Sequence, residues 1–494
     1  MQIVDFQPDL RPELPLVDGP KEYREQRALF EHLDEVLSRS GLEQEFTSLS
    51  LAHREIDLKT CSPAQRESLS RNCVLALRSN VARMITGMSH RDFCARVADS
   101  SLLQWFLQIG QVDGVSAFAK SSSDRFAHLI DAQSLQSINQ KLVQLLQSEP
   151  ANGELGLDAR IDFEQVYMDS TCLKANTHHP VDWILLRDAT RTLMKAIERI
   201  RKQGLRHRMP KGPLSFLSEM NTLCMAMTAK NRTSEGKKHR KAVFRQMKTL
   251  LGRVEKHARR HLNLLKERGQ ETGLGEGVIR SVIEQIENIL GQVPAIIKQA
   301  HERIIGGRKV ANKDKILSLY DNDIQVIKRG KAGAEVEFGN NLWIGENGDG
   351  FIVDYALEKE KTSDSKQVEA SVTRMVDEQS LPVTSVWGDR GLHSAANEEF
   401  LESKGIYSGL CPRDVKVLSE RLDAEPELRT GLKRRAGTEA RISIVVRDFM
   451  GTPARAKGFE HREMMVGWAV LSHNLWKLAR LKQAEEPVDI PQAA

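Results

Sequence analysis

The chain has 494 residues, room for two or three domains of ordinary size. Hydrophobic residues make up 40% and charged residues 28%, a globular composition with enough apolar material for a real core. The net charge of +5 is compatible with contact to nucleic acid but is too mild to establish it. The cysteines at 61, 73, 94, 172, 224 and 411 form no Cys-x-x-Cys pair, which argues against a disulfide framework or a zinc site and favours a reducing compartment. No apolar run approaches the ~20 residues needed to span a bilayer, and Met1 to Asp5 lack the start of a secretory signal. The expected location is the cytoplasm, with no membrane partner.

Residues 1–20 hold Pro8, Pro12, Pro15 and Pro20 and read as an extended lead-in. From about 22 to 148 the pattern is helical, with Ser, Asp and Gly breaks. Ser89 stands where it would cap a helix carrying Phe93, Val97 and Ala98. Leu102, Leu103, Trp105, Phe106 and Leu107 form an apolar knot suited to a small helical core. Near 162 the character changes. Phe163, Val166, Tyr167 and Met168 predict a strand that delivers Asp169.

Residues 181–305 read as helical again. Leu185, Leu186, Ala189, Leu193, Ala196, Ile197 and Ile200 recur at helical spacing. The stretch 230–268 has a net formal charge of roughly +11. Lys237, Lys238, Arg240, Lys241 and Arg245 are its densest part and would neutralise phosphates; the other reading is a solvated helix surface. Only Phe244 is aromatic there, so stacking on single-stranded bases is not indicated. A further helix carries Val278, Ile279, Val282, Ile283, Ile286 and Ile289, with Gly291 and Pro294 expected to interrupt it.

Strands follow. Ala334, Val336 and Phe338, then Phe351, Val353 and Tyr355, alternate with their neighbours and predict a hairpin connected through residues 345–350. A helix over about 364–378 leads to a buried strand, 383–387, that ends at Gly388-Asp389. A short helix to 404, a strand over 406–411 and helices over about 429–450 and 460–482 complete the chain. With the helical block removed, what remains is a mixed sheet with helices on its faces.

Three acids stand out by position. Asp169 lies in one apolar strand and Asp389 ends another, and carboxylates at neighbouring strand ends can converge. Glu439 precedes Ile442, Val446 and Met450 at helical spacing, a charge on a face that otherwise seeks the core. Buried carboxylates need partners. Three converging ones suit Mg²⁺ or Mn²⁺, and two such ions about 4 Å apart can activate an attacking oxygen and stabilise a leaving oxygen on phosphate. The competing reading pairs each acid with a nearby Arg390, Arg435 or Arg441.

Tyr167-Met168-Asp169-Ser170-Thr171 with Asn176 to Asp182 resembles the first-aspartate block of bacterial insertion-sequence transposases of the DDE kind, most nearly the ISNCY-type group. Gly388-Asp389-Arg390-Gly391 resembles their second block. Glu439 to Ser443, followed by Gly467 to Leu475, resembles their glutamate block and final helix, and Ser89 to Phe106 is similar to a common N-terminal domain. The resemblance implies an α/β, ribonuclease H-like mixed sheet as catalytic core over 160–180 and 308–482. It also implies an N-terminal all-helical domain over 1–150 for DNA-end binding, and 181–307 becomes a basic helical insertion after the first strand.

Asp169, Asp389 and Glu439 would be catalytic and would hold two ions of Mg²⁺ or Mn²⁺. DNA, as terminal inverted repeats and as target, would be the partner, with a homodimer or larger assembly bringing two ends together. A related signature puts Tyr, Arg, Glu and Lys around the glutamate. Arg435 fits its Arg, whereas Leu432 and Val446 stand where Tyr and Lys would be, with Arg447 one residue late. His393, four residues after Asp389, is a candidate support for the site, and His178 and His179 beside Pro180 read as turn formers. The rivals are a nuclease of the same fold that cuts without joining, and an inactive DNA-binding derivative.

Overall fold

The computed structural model describes residues 13–14, 20–111, 114–151, 153, 155–177, 181–228, 233–331, 334–360 and 362–485. It is a mixed α/β protein with a six-stranded mixed sheet among the described residues. The chain forms two compact units, one from residues 1–175 and 340–494 and the other from 176–339. The expected lead-in and the His178-His179-Pro180 turn lie mostly or wholly outside the described residues.

The first unit begins with helices α1 (Lys21–Arg39), α2 (Leu42–His53), α3 (Pro63–Ile85), α4 (His90–Asp99), α5 (Ser101–Phe106), α6 (Lys120–Ala127) and α7 (Ala132–Ser148). Ser89 does cap α4: its side chain accepts the Asp92 N–H at 3.3 Å, satisfying one of the free donors of the first turn. Strand β1 (Gln165–Lys174) follows and carries Asp169.

The second unit holds α8 (Asp182–Lys202), α9 (Pro213–Met227), α10 (Ser234–Arg268) and α11 (Glu276–Ile304), and then strand β2 (Gln325–Lys331). Leu193, Ile197, Phe244, Leu251, Val254 and Ile286 are among the residues of its own core. The expected break at Gly291 and Pro294 does not occur; α11 runs through Pro294. Proline inside a helix costs about 3 kcal/mol through its missing N–H and its ring. Ile289, Leu290, Val293 and Ile296 are buried on both sides of it, and that burial holds the helix together.

Strand β3 (Ala334–Asn347) pairs antiparallel with β2 through its first half, within the second unit, and continues into the first. There Asn341–Glu346 forms a hairpin with β4 (Ile352–Glu358), whereas the predicted partner segment around Ala334, Val336 and Phe338 pairs with β2 instead. The remaining elements are α12 (Asp364–Val372), β5 (Ser385–Gly388), α13 (Ala395–Ser403), β6 (Tyr407–Leu410), α14 (Val415–Ala424), α15 (Pro426–Ile444) and α16 (Phe459–Glu485). π-helical turns extend α12 over Thr373–Glu378 and α15 over Val445–Met450. In the first unit the strand order is β4-β3-β1-β5-β6, and β1, β5 and β6 run parallel.

Residues 1–150 do not stand apart as a separate compact unit. One continuous core joins Phe30, Leu77, Phe106 and Leu142 of the N-terminal helices to Met168, Ile344 and Val386 of the sheet. Helix α16 makes this union. Val466, Trp468, Ala469, Val470, Leu471 and Leu475 are buried right round its circumference, and a helix apolar on all sides must be covered on all sides. Asn474 fastens it to the sheet, donating to the Ile352 carbonyl at 2.8 Å and accepting the Ile352 N–H at 2.9 Å. The unit boundaries fall at 175/176 and 339/340, so residues 308–339 belong with the helical block rather than with the sheet core. No helix among the described residues is long and apolar enough to cross a membrane.

Candidate active site

The two faces of the sheet are buried differently. Val166 and Met168 of β1 point into the large core, while Tyr167 on the opposite face packs with Trp387 and Leu428 in a smaller cluster beneath α15. Alternation of side chains along a strand puts Asp169 on the Tyr167 face. The pairing of β1 with β5 sets Tyr167 against Trp387, so two residues further on Asp169 is level with Asp389 at the carboxyl end of β5. Parallel neighbours therefore deliver two acids, 220 positions apart, to one edge of the sheet.

Helix α15 supplies the third. Arg435 donates to Asp169 Oδ2 at 3.2 Å and to Glu439 Oε1 at 3.5 Å, so the two acids lie within the span of one guanidinium. The Asp169 side chain is 17% exposed, and the Ser170 N–H donates to its Oδ1 at 2.7 Å. Burial pushes the Asp169 carboxyl up from its usual range; the Ser170 N–H and Arg435 oppose this, and the negative charges of Asp389 and Glu439 add to it. Asp389 is half-buried and accepts the Gly391 N–H at 2.8 Å, closing its own turn. Arg413 holds that turn from outside through the carbonyls of Arg390 at 3.1 Å and Gly391 at 3.4 Å.

Glu439 departs from expectation. Its side chain is 62% exposed, and the buried position on this turn is Thr438. The expected alignment with Val446 and Met450 fails because the π-helical turn at Val445–Met450 changes the phase of the helix beyond Ile444. Exposed as it is, Glu439 meets Arg435 at the surface rather than packing in the core.

What holds α15 in place is a fourth acid that the sequence reading missed. Glu346 on β3 is fully buried. It accepts from Thr438 Oγ1 at 2.8 Å, Arg434 Nη1 at 3.1 Å and Arg441 Nε at 3.2 Å, three residues on one face of α15. Arg434 also lies over the Tyr167 ring at 4.8 Å. Of the arginines weighed as partners for the acids, Arg435 takes that role, Arg441 serves Glu346, and Arg390 is exposed. The signal lay in the spacing of Arg434, Thr438 and Arg441, which repeats at one face of a helix.

The other expected residues are distributed as follows. His393 pairs with Glu398 at 3.0 Å, the acid that Arg421 also faces at 3.7 Å, and so is occupied by α13 rather than by Asp389. On α10, Lys237, Lys238 and Arg245 are exposed and Lys241 is half-buried. Arg240 is turned inward over the Trp183 ring at 4.6 Å, and burial lowers its pKa, so its charge is spent within its own unit.

Three carboxylates offer the hard oxygen donors that Mg²⁺ and Mn²⁺ take. Among the described residues no three His, Cys, Asp or Glu side chains stand close enough together to hold a metal. The Arg435 guanidinium takes the cation's part toward two of the three acids. The donor types suit such an ion, and in this arrangement Arg435 occupies its place between Asp169 and Glu439. No protein-family model matches the chain, and neither does any curated protein or solved structure.

Proposed function

We propose that this chain is a DNA transposase with a ribonuclease H-like catalytic core, which cuts DNA strands and joins them to a target through Asp169, Asp389 and Glu439. One observation carries the reading: acids from three distant parts of the chain are gathered at one sheet edge, Asp169 level with Asp389 and tied to Glu439 by Arg435. Burial raises the pKa of Asp169, with smaller additions from the charges of Asp389 and Glu439, and a carboxyl so placed gains from a cation beside it.

Asp169, Asp389 and Glu439 would hold two Mg²⁺ or Mn²⁺ ions, which would activate the attacking oxygen and stabilise the leaving one. The chain's own residues set the geometry. The strand register fixes Asp169 against Asp389. The buried Glu346 fixes the helix that bears Glu439. Arg435 neutralises Asp169 and Glu439 until it is displaced, and then presents its charge to a DNA phosphate. The exposed Lys237, Lys238 and Arg245 of α10 add affinity without sequence information. Two protomers would bring two DNA ends together.

The test uses the purified full chain, Mg²⁺, and duplexes of the DNA that flanks the gene on either side, one set pre-nicked to expose a 3′-hydroxyl. Joined products that disappear with Asp389→Asn are expected. Cutting without joining would establish the nuclease instead, and binding with neither activity would establish an inactive derivative; either result overturns the proposal.

A further inference from the structure

Away from these acids, the first unit contains a pocket of about 760 Å³. Its wall is made by the end of α3, the N-termini of α4 and α16, the length of α6, and residues 455–457. Arg83, Arg91, Lys120, Arg455 and Lys457 bring five permanent positive charges to it, against Asp92 and Asp124. Two helix N-termini, of α4 and α16, add the partial positive charge of their N–H groups.

Arg83 is the decisive residue. Its Nε is sealed from solvent and has no hydrogen-bond partner, and its guanidinium forms no ion pair among the described residues. Burial, and then the like charge of Arg455, pull its pKa down to about 10. Asp124 offsets part of the Arg83 charge without pairing with it, and Asp92 is engaged within its own helix. Asp92 accepts the Ser89 hydroxyl at 2.6 Å, and the exposed Asp124 stands 3.9 Å from His90 Nε2. His90 is held through Nδ1 by Ser123 at 2.8 Å, and burial followed by the Arg83 charge lowers its pKa to about 4. His128 and His461 face each other edge-on at 4.9 Å. Arg83 is half-buried, but a guanidinium whose Nε is sealed without a partner is costly, and a pocket that concentrates further cations around it is built for an anion.

We propose that this pocket binds a phosphate ester, carried either on a free nucleotide or on the backbone of a nucleic-acid strand. The volume exceeds one phosphate several-fold and leaves room for the body that bears it, against Met84, Met464 and Met465. The proposal is independent of the reading of Asp169, Asp389 and Glu439, since none of them lines the pocket.

The experiment is calorimetric titration of the full chain with adenosine 5′-monophosphate, with adenosine, and with a short duplex oligonucleotide. Lys120 and Lys457 are exposed, so Lys120→Ala/Lys457→Ala tests the site without threatening the fold. Saturable binding of the monophosphate and none of adenosine is expected. The double variant should weaken that binding at least tenfold, and Arg83→Met should abolish it with an unchanged circular dichroism spectrum. A parallel tenfold loss for the duplex assigns the strand as source; a loss confined to the monophosphate assigns the free nucleotide. Equal binding of adenosine, no saturation by either phosphate ligand, or full affinity in the double variant overturns the proposal.

Discussion

Glu346 accepts a hydrogen bond from the hydroxyl of Thr438 at 2.8 Å, one residue before Glu439. The bond ties a candidate catalytic helix to the middle of the sheet through a carboxylate that water does not reach. Hydrogen bonds to charged groups contribute about 1.5–3 kcal/mol, and a buried charge stripped of its partners costs about 3–5 kcal/mol. Thr438→Val should therefore lower unfolding stability by about 2 kcal/mol, and Glu346→Ala, which leaves Arg434 and Arg441 unpaired, by about 3–5 kcal/mol. Urea denaturation measures both. An unchanged midpoint in Glu346→Ala would mean that α15 is anchored elsewhere.

A second constraint on α15 is steric. A Cβ added at Gly431 would run into the six-membered ring of Trp387, and one at Gly409 on β6 would meet the same ring. The ring is packed between helix and strand and stacks on Tyr167 at 6.1 Å. Alanine is the better helix former by about 1 kcal/mol, while overpacking a rigid site costs about 1–3 kcal/mol or more. Overpacking wins because an indole held on two sides cannot move aside. Gly431→Ala should lower the melting temperature, and adding Trp387→Leu should recover part of the loss. A more stable Gly431→Ala would refute the close approach.

Asp169 invites a test in which stability and activity part ways. Its folded pKa lies above the ordinary carboxylate range, chiefly through burial. The folded state therefore favours the protonated form, and that stabilisation is lost as pH rises through the folded pKa. At neutral pH the ionised group is a cost that Asp169→Asn removes, against the loss of one bond from Arg435. The variant should melt no lower than the parent at pH 7, with the difference vanishing near pH 3, while DNA cleavage falls at least a hundredfold. Mg²⁺ should raise the melting temperature of the parent and leave Asp169→Asn unmoved. Calorimetry across pH, with and without Mg²⁺, reads all three; a large drop in melting temperature at pH 7 would show that the carboxylate is structural.

Much of this geometry is legible in the sequence where local pattern and tertiary role agree. The strand around Asp169, the strand ending at Gly388, the strands after 334 and the cap at Ser89 each carry a period or a capping residue that survives folding. Other elements leave weaker traces. β2 reads Gln-Val-Ile-Lys-Arg-Gly-Lys, too polar and too glycine-marked to announce a strand. α14 fully buries no residue and packs only through the half-buried Leu418 and Leu422, too short an apolar stripe to stand out. The union of residues 1–150 with the sheet depends on α16, whose encirclement is a property of its neighbours. Glu346, which looks like part of a polar turn, becomes a buried anchor only when α15 is laid over β3. The convergence of Asp169, Asp389 and Glu439 was readable in outline; the guanidinium of Arg435 between two of them was not, because it follows from the packing of a helix on a sheet.

His473 on α16 gives the protein an acid limit. It is fully buried, its Nδ1 meets Asn474 Oδ1 at 3.2 Å, and Phe449 and Trp476 pack on its ring at 5.7 and 5.9 Å. Burial, then the charge of Arg441, lowers its pKa to about 3, with Lys477 acting in the same sense. A histidine whose folded pKa is depressed contributes stability that is present above its unfolded value, about 6.5, and is lost as pH falls toward the folded one. Between pH 6.5 and 4 the unfolded chain takes up a proton that the folded chain refuses. Phenylalanine keeps the ring contacts and removes the titration. The melting temperature of His473→Phe should fall less steeply than that of the parent over this range, and the two curves should run parallel above pH 7. Parallel curves throughout would show that the native ring titrates as it does in the unfolded chain, and is therefore solvated.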